Sequence, residues 1–403
     1  MSDRRPPVTD PVVRDLVRLA RASVSRRRLL AGAAGALGTG ALLAACGTGG
    51  APTSAGGSGA SAGGAVRWAN WTQYLDQDES GTSFPTLEAF TEQSGVEVAY
   101  AEDIEDNDTF YGKVSGQLAN GQDIGYDVVT LTDWMAARWI RQDYAALLDR
   151  ENIPNAANIL TTLQDVAFDP GRNHSLTWQS GMTGIAWDKE KIPGGLRSVS
   201  QLWDPQYAGR VEVLSEMRDT IGLLMLDQGV SPAGPWTDTD WTAALEVLEA
   251  QLASGQIRQV RGNSYTQDLA SGDAVACIAW SGDITSLNYE FDGRFGFAVP
   301  DAGGMLWSDN LMVPTPSPRK AAAEQLFDYY YDPQVAAQVA AWVNYVTPVH
   351  GAQEAMLEID PALAEDPMIF PDDLVLETVH VFGSLTPDEE ELYNGRFLDV
   401  IGA

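Results

Sequence analysis

From Val66 to the C-terminus, short β-rich runs alternate with segments of helical periodicity, and this alternation confines the body of the chain to an α/β fold. Val66-Arg67-Trp68-Ala69-Asn70-Trp71 is the first strand candidate. Val96 to Tyr100, Asp127 to Leu131, Gly184 to Trp187, Val211 to Leu214 and Ala274 to Ala279 follow. Helical stretches over 86–93 and 109–119 lie between the early strands, so the spacing predicts parallel sheets in two successive α/β units. A helix is expected over 241–253, capped by Asp240 and ended by Ser254-Gly255, with Trp241, Leu245, Leu248 and Leu252 as one apolar stripe. Another is expected to start at Ser317-Pro318, where the missing N–H of Pro costs nothing. Trp203 and Trp241 are expected in the core. Two α/β units in one chain suggest a ligand crevice at strand ends or between lobes.

The first 65 residues have a different character. Ser25-Arg26-Arg27-Arg28-Leu29-Leu30 sets consecutive arginines before an apolar, small-residue run that ends at Ala45. This is the pattern of a twin-arginine export signal. Glycines at 32, 35, 38 and 40 make the run a poor membrane-spanning helix. Leu43-Ala44-Ala45-Cys46 resembles a bacterial lipobox, in which the Cys thiol takes a diacylglycerol and becomes the new N-terminus. Residues 47–65 are almost entirely Gly, Ala, Ser and Thr and cannot bury a core, so they read as a flexible tether. The expectation is a signal over 1–45, a lipidated Cys46 and a linker to 65. The body would then be held by its lipid on the extracytoplasmic face of the membrane.

Charge removes several classes of partner. With 25 Lys+Arg against 56 Asp+Glu the net charge is −31, and a chain starting at Cys46 would carry 17 basic and 53 acidic residues, or −36. Such a surface is unsuited to nucleic acid and to anionic membranes, and draws cations into any acid-lined cleft. Catalytic and metal-binding motifs are absent: no G-x-S-x-G, H-E-x-x-H, C-x-x-C, Walker A or G-x-G-x-x-G occurs. His174, His350 and His380 are far apart in the chain, and Cys277 sits in an apolar strand as an inert thiol. No enzyme activity, metal or cofactor is expected. With Cys277 alone beyond the N-terminal segment, no internal disulfide framework is possible.

Aromatic and acidic residues gather at strand ends instead. Asn70-Trp71-Thr72-Gln73-Tyr74 follows the first strand, and Thr132-Asp133-Trp134 follows 127–131. Glu216-Met217-Arg218-Asp219 follows 211–214, and Trp280-Ser281-Gly282-Asp283 follows 274–279. Trp307-Ser308-Asp309-Asn310 precedes Leu311-Met312-Val313-Pro314.

Taken in order with Tyr126-Asp127-Val128-Val129, Gly303-Gly304 and Asn344-Tyr345-x-Thr347-Pro348, these signatures resemble the polyamine-binding (spermidine/putrescine) proteins of ABC importers, across nearly the whole chain after 65. The resemblance implies an α/β, two-lobed periplasmic-binding-protein-like fold of type II with a cleft between lobes. It places lobe 1 at 66–175 and 303–345, and lobe 2 at 176–302 and 346–403. It also implies an aromatic box of Trp71, Tyr74, Trp134, Trp280, Trp307 and Tyr345. Carboxylates at Glu216, Asp219 and Asp309 would take the ammonium groups, with Thr132 as a polar contact; a further polar contact near the C-terminus is implied but not placed, because the match around His380 to Ser384 is ambiguous. Carboxylates form strong charge-assisted bonds to ammonium, and ring faces cover methylenes and attract cations. Gln73 stands where an acid is common, Trp134 where Tyr is common, and Glu216 and Asp219 are exchanged in length, so the preferred polyamine stays open. The expected partners are the ligand and membrane permease subunits, with the protein itself a monomer. Two other readings stay open: a binding protein for another solute, such as a sugar or cationic amine, and a surface-anchored glycan hydrolase working through paired carboxylates.

Overall fold

A computed structural model describes residues 64–78 and 81–402. The expected export signal, Cys46 and the expected tether up to residue 63 lie outside the described residues. The folded unit begins at Ala65.

The first half-sheet is built from β1 (Val66–Trp71), β2 (Val98–Ile104) and β3 (Val128–Thr132), with α1 (Pro85–Ser94), α2 (Asn107–Ala119) and α3 (Asp133–Arg141). β1 lies between β2 and β3 and is parallel to both. Its apolar side chains face a packed core: Trp68 is fully buried, with Tyr100, Trp178 and Tyr330 edge-on at 5.2, 5.2 and 5.6 Å. Pro85 opens α1, and Gly95 closes it at φ 73°, where a side chain would be strained.

A second half-sheet repeats the design after a long strand, β4 (Ser175–Asp188). It holds β5 (Val211–Leu214), α4 (Met217–Asp227), α5 (Asp238–Ala253), β6 (Ile257–Arg261), α6 (Tyr265–Ser271), β7 (Ala276–Trp280), α7 (Ser281–Glu290) and β8 (Phe295–Ala298). β5 is parallel to β6 and β7. Cys277 is fully buried in β7, and burial lifts its thiol pKa well above the ordinary value, as expected of an inert core residue.

The chain then returns through β9 (Gly304–Met312), α8 (Lys320–Tyr330), α9 (Pro333–Val343), α10 (Ala352–Ile359), α11 (Pro361–Ala364), α12 (Asp373–Leu376), β10 (Val379–His380) and α13 (Pro387–Ile401). The strand order is β2-β1-β3-β9-β4-β7-β5-β6, with β10 beside β9 and β8 beside β4. The expected parallel pairing therefore holds within each half. The centre is antiparallel, because β4 and β9 run from one half to the other. β9 pairs Asp309–Met312 with β3. β4 pairs Ser175–Thr177 with the same end of β9 and Thr183–Trp187 with β7.

Three local expectations need correction. The strand at 184–187 is only the end of a 14-residue strand. Thr177, Gln179, Ser180 and Thr183 hide its beginning from any hydrophobic count, although all are buried. α5 is capped by Thr237, whose hydroxyl accepts from the Asp240 N–H while the Asp240 carboxylate accepts from the Thr237 N–H. Asp240 is thus the third helical residue of a capping box rather than the cap. The helix expected at Pro318 begins at Lys320, because Ser317 and Pro318 belong to the preceding turn, where the Ser317 hydroxyl donates to Asp127 at 2.8 Å. Trp241 is buried and Trp203 packs partly buried against the core, as expected.

Candidate functional site

Each half-sheet delivers polar side chains at the point where a strand turns into a helix. Thr132 ends β3 and is the residue before α3. Glu216 precedes α4 and Asp219 lies in its first turn. Trp280 ends β7, and Asp283 lies in the first turn of α7. Extended strands leave their last side chains at the sheet edge, and a helix start offers free N–H groups, so acids are at home there. β9 adds Trp307 and Asp309 from the centre of the sheet. Tyr345 follows Asn344, which ends α9 in the left-handed region at φ 58°.

All ten residues expected from the sequence line one cleft of about 780 Å³. Five of the six rings form a continuous edge-to-face chain. Trp71 meets Trp280 at 6.3 Å between centroids, and Trp280 meets Trp307 at 6.2 Å. Trp307 meets Tyr345 at 5.4 Å, and Tyr345 meets Tyr74 at 5.4 Å. Two glycines make room for this chain. A Cβ on Gly181 would collide with Trp307, and one on Gly282 would stand 2.6 Å from the Tyr345 ring.

Trp134 lines the cleft but stands apart. Its ring is stacked by the guanidiniums of Arg218 at 4.3 Å and Arg138 at 5.0 Å. Glu390 of α13 accepts from Arg138 at 2.6 Å and Arg141 at 3.0 Å, and lies 3.7 Å from Arg218.

The carboxylates are buried among neutral donors. Asp309 accepts from the Tyr74 hydroxyl at 2.8 Å and the Thr132 hydroxyl at 2.7 Å. Asp219 accepts from the Thr183 hydroxyl at 2.6 Å and the Trp280 indole at 3.1 Å. Glu216 accepts from the backbone and side-chain N–H of Asn107 at 3.1 and 2.9 Å. Loss of hydration pushes all three up: Asp219 to about 6, Asp309 to about 7 and Glu216 to about 8. The neighbouring Asp106 and Asp108 raise Glu216 further. Neutral donors do not replace the water that these acids lost, so an ammonium ion entering the cleft would favour their ionised forms and pair with them.

A fourth acid, Asp283, escaped selection from the sequence. It accepts from Tyr265 at 2.9 Å, Tyr345 at 2.8 Å and Asn263 at 3.2 Å, and burial raises its pKa. Its signal was present, since it follows Trp280 in one of the strand-end motifs. Glu390 carried no comparable signal, because it lies in an ordinary acidic helix start. The C-terminal segment also lines the cleft, through Val381, Phe382, Gly383 and Ser384. Among the described residues, no group of three or more His, Cys, Asp and Glu side chains could hold a metal ion, and no helix is long and apolar enough to cross a membrane.

Two α/β halves joined by crossing strands, with a ligand-sized cleft at the strand ends, define a two-lobed substrate-binding protein, and residues 86–371 match the bacterial extracellular solute-binding protein family, to which this chain belongs. Relatives include the spermidine/putrescine-binding periplasmic protein of Escherichia coli (strain K12), 24% identical over 336 residues that cover 83% of this chain and 86% of the relative. The putrescine/agmatine-binding protein of Pseudomonas aeruginosa is 25% identical over 328 residues, 76% of this chain and 83% of the relative. Among solved structures, a putative spermidine/putrescine ABC transporter protein from Listeria monocytogenes superposes with TM-score 0.72 at 21% identity, covering 83% of this chain and 98% of the other. A Treponema pallidum lipoprotein superposes with TM-score 0.69 at 20% identity, covering 84% of this chain and 100% of the other. These likenesses carry the two-lobed fold.

Proposed function

We propose that this protein captures a polyamine outside the cytoplasm and delivers it to the permease subunits of an ABC importer, without chemical change to the ligand. The carrying observation is the convergence of Asp219, Asp283, Asp309 and Glu216 with five edge-to-face rings in one cleft. An aliphatic amine offers what this surface lacks: ammonium groups for the buried acids and methylenes for the ring faces. A sugar can stack on the rings but does not neutralise four acids.

In this reading lobe 1 is 66–175 with 303–345, and lobe 2 is 176–302 with 346–403. The middle of β4 and β9 serves as the hinge on which the lobes close. The twin arginines direct export and Cys46 carries the lipid, so the body works as a tethered monomer beside its permease.

Calorimetry on residues 66–403 tests the ligand class. Spermidine or putrescine is expected to bind one to one. Absence of heat with every polyamine, together with binding of a neutral sugar, would overturn the reading.

A further inference from the structure

The cleft extends beyond its acids and rings. Leu163, Val166 and Phe168, from the segment between α3 and β4, line the same cavity as Leu376, Val381 and Leu385, from the end of α12 and the segment leading to α13. None of these six side chains can form a hydrogen bond. Val381 is 54% and Leu376 is 42% exposed, so part of this apolar surface faces water at the rim. Apolar groups gathered on one cleft, rather than scattered, mark a contact surface. Cavities of roughly 300–1,000 Å³ bury drug-sized ligands, whereas an unsubstituted polyamine is a thin chain whose methylenes the ring floor already covers. The six side chains line the same cavity as that floor, so the molecule seated on the floor is the natural occupant.

We propose that the ligand is a polyamine bearing an apolar substituent on one nitrogen, alkyl or aryl. Its ammonium groups rest on the acid and ring floor, and its substituent lies against Leu163, Val166, Phe168, Leu376, Val381 and Leu385. This rests on the reading that an amine occupies the floor. Burying the substituent adds affinity in proportion to its area, about fourfold for each buried methylene.

Titration calorimetry of the full chain in detergent, with putrescine, spermidine and their N-octyl and N-benzyl derivatives, tests the assignment. At least one derivative is expected to bind ten or more times tighter than its parent. In the double variant Leu163→Ser, Val381→Ser the ratio of parent to derivative Kd should fall towards one. Tighter octyl with unimproved benzyl binding identifies an alkyl tail, and the reverse an aryl group. Parents that bind as well as or better than both derivatives would overturn the substituent and leave the polyamine reading standing; the apolar walls would then simply meet each other on closure. A gain that survives unchanged in the double variant would overturn the placement against these walls. Absence of binding by parents and derivatives alike would overturn both readings.

Discussion

The Tyr74 hydroxyl donates a 2.8 Å hydrogen bond to Oδ2 of Asp309, joining residues 235 positions apart at the floor of the cleft. Thr132 occupies the other oxygen at 2.7 Å. Both partners are neutral, so the carboxylate is oriented without being neutralised.

Asp309→Asn keeps the shape and one acceptor but removes the charge. A hydrogen bond involving a charged group contributes ~1.5–3 kcal/mol, so polyamine affinity should fall by about one to two decades at pH 8, with Tm little changed at pH 5, where Asp309 is protonated. Asp301→Asn is the control, because Asp301 is exposed in the turn before β9. Equal small losses from both substitutions at moderate ionic strength would mean that Asp309 acts only through the bulk potential.

Asp219 near 6, Asp309 near 7 and Glu216 near 8 set a pH dependence. Their folded pKa values lie above the unfolded ones, so the folded state holds more protons between about pH 4 and pH 8. The stability from these groups is complete below the unfolded pKa and is lost as pH rises through the folded values. The ligand-free Tm should therefore fall more steeply from pH 5 to pH 8 than that of the Glu216→Gln, Asp309→Asn double variant. Ligand binding runs the other way. Ammonium groups stay protonated across this range, so polyamine affinity should rise from pH 6 to pH 8, by up to about tenfold per pH unit for each carboxylate that must ionise. A flat calorimetric Kd over that range would contradict this.

Gly282→Ala places a methyl 2.6 Å from the Tyr345 ring. The ring must move, and its 2.8 Å bond to Asp283 is disturbed. Overpacking of this kind costs ~1–3 kcal/mol of stability, and calorimetry should show weakened polyamine binding as well. In the paired variant Gly282→Ala, Tyr345→Ala the loss of Tm should be smaller than the sum of the two single losses, because the clash that Gly282→Ala creates is removed with the ring.

Glu390→Gln removes the carboxylate that holds Arg138 and Arg141 against α13. The Glu390 side chain is only 5% exposed, so guanidiniums would be left underpaired. Breaking a buried pair costs ~3–5 kcal/mol, discounted here because Arg141 is 37% exposed. The contact joins α3 to the C-terminal helix across the cleft wall, so stopped-flow measurement should show faster ligand release. An unchanged rate and Tm would mean the contact is idle.

Replacing Arg26 and Arg27 by Lys should block export, and Cys46→Ala should leave the chain unlipidated. Acylated protein in the membrane fraction from either variant would refute the corresponding signal.

The local sequence determined the elements that a short window can encode. β1, β3, β5 and β7 were legible because each is a short run rich in β-formers, alternating in β1 and nearly all apolar in β7, and the residues at their ends were legible because a strand end followed by a helix start has a recognisable grammar. Trp71, Thr132, Glu216, Asp219 and Trp280 all came from it. Asp283 could have come from the same source. The middle of the sheet did not read, because β4 is buried yet polar. Thr177, Ser180 and Thr183 are buried because their hydroxyls pair with Arg172, Ser308 and Asp219, and Gln179 is buried among them, so no apolar run marks this stretch. Only the tertiary structure decided that β4 and β9 would cross between the halves. It alone brought Glu390 to Arg138 over 252 residues, and joined the walls at 163–168 and 376–385 to one cavity. Short-range periodicity reports which face of an element is buried. Which distant element buries it is settled by the packing of whole sheets and helices, and that information is spread over the entire chain.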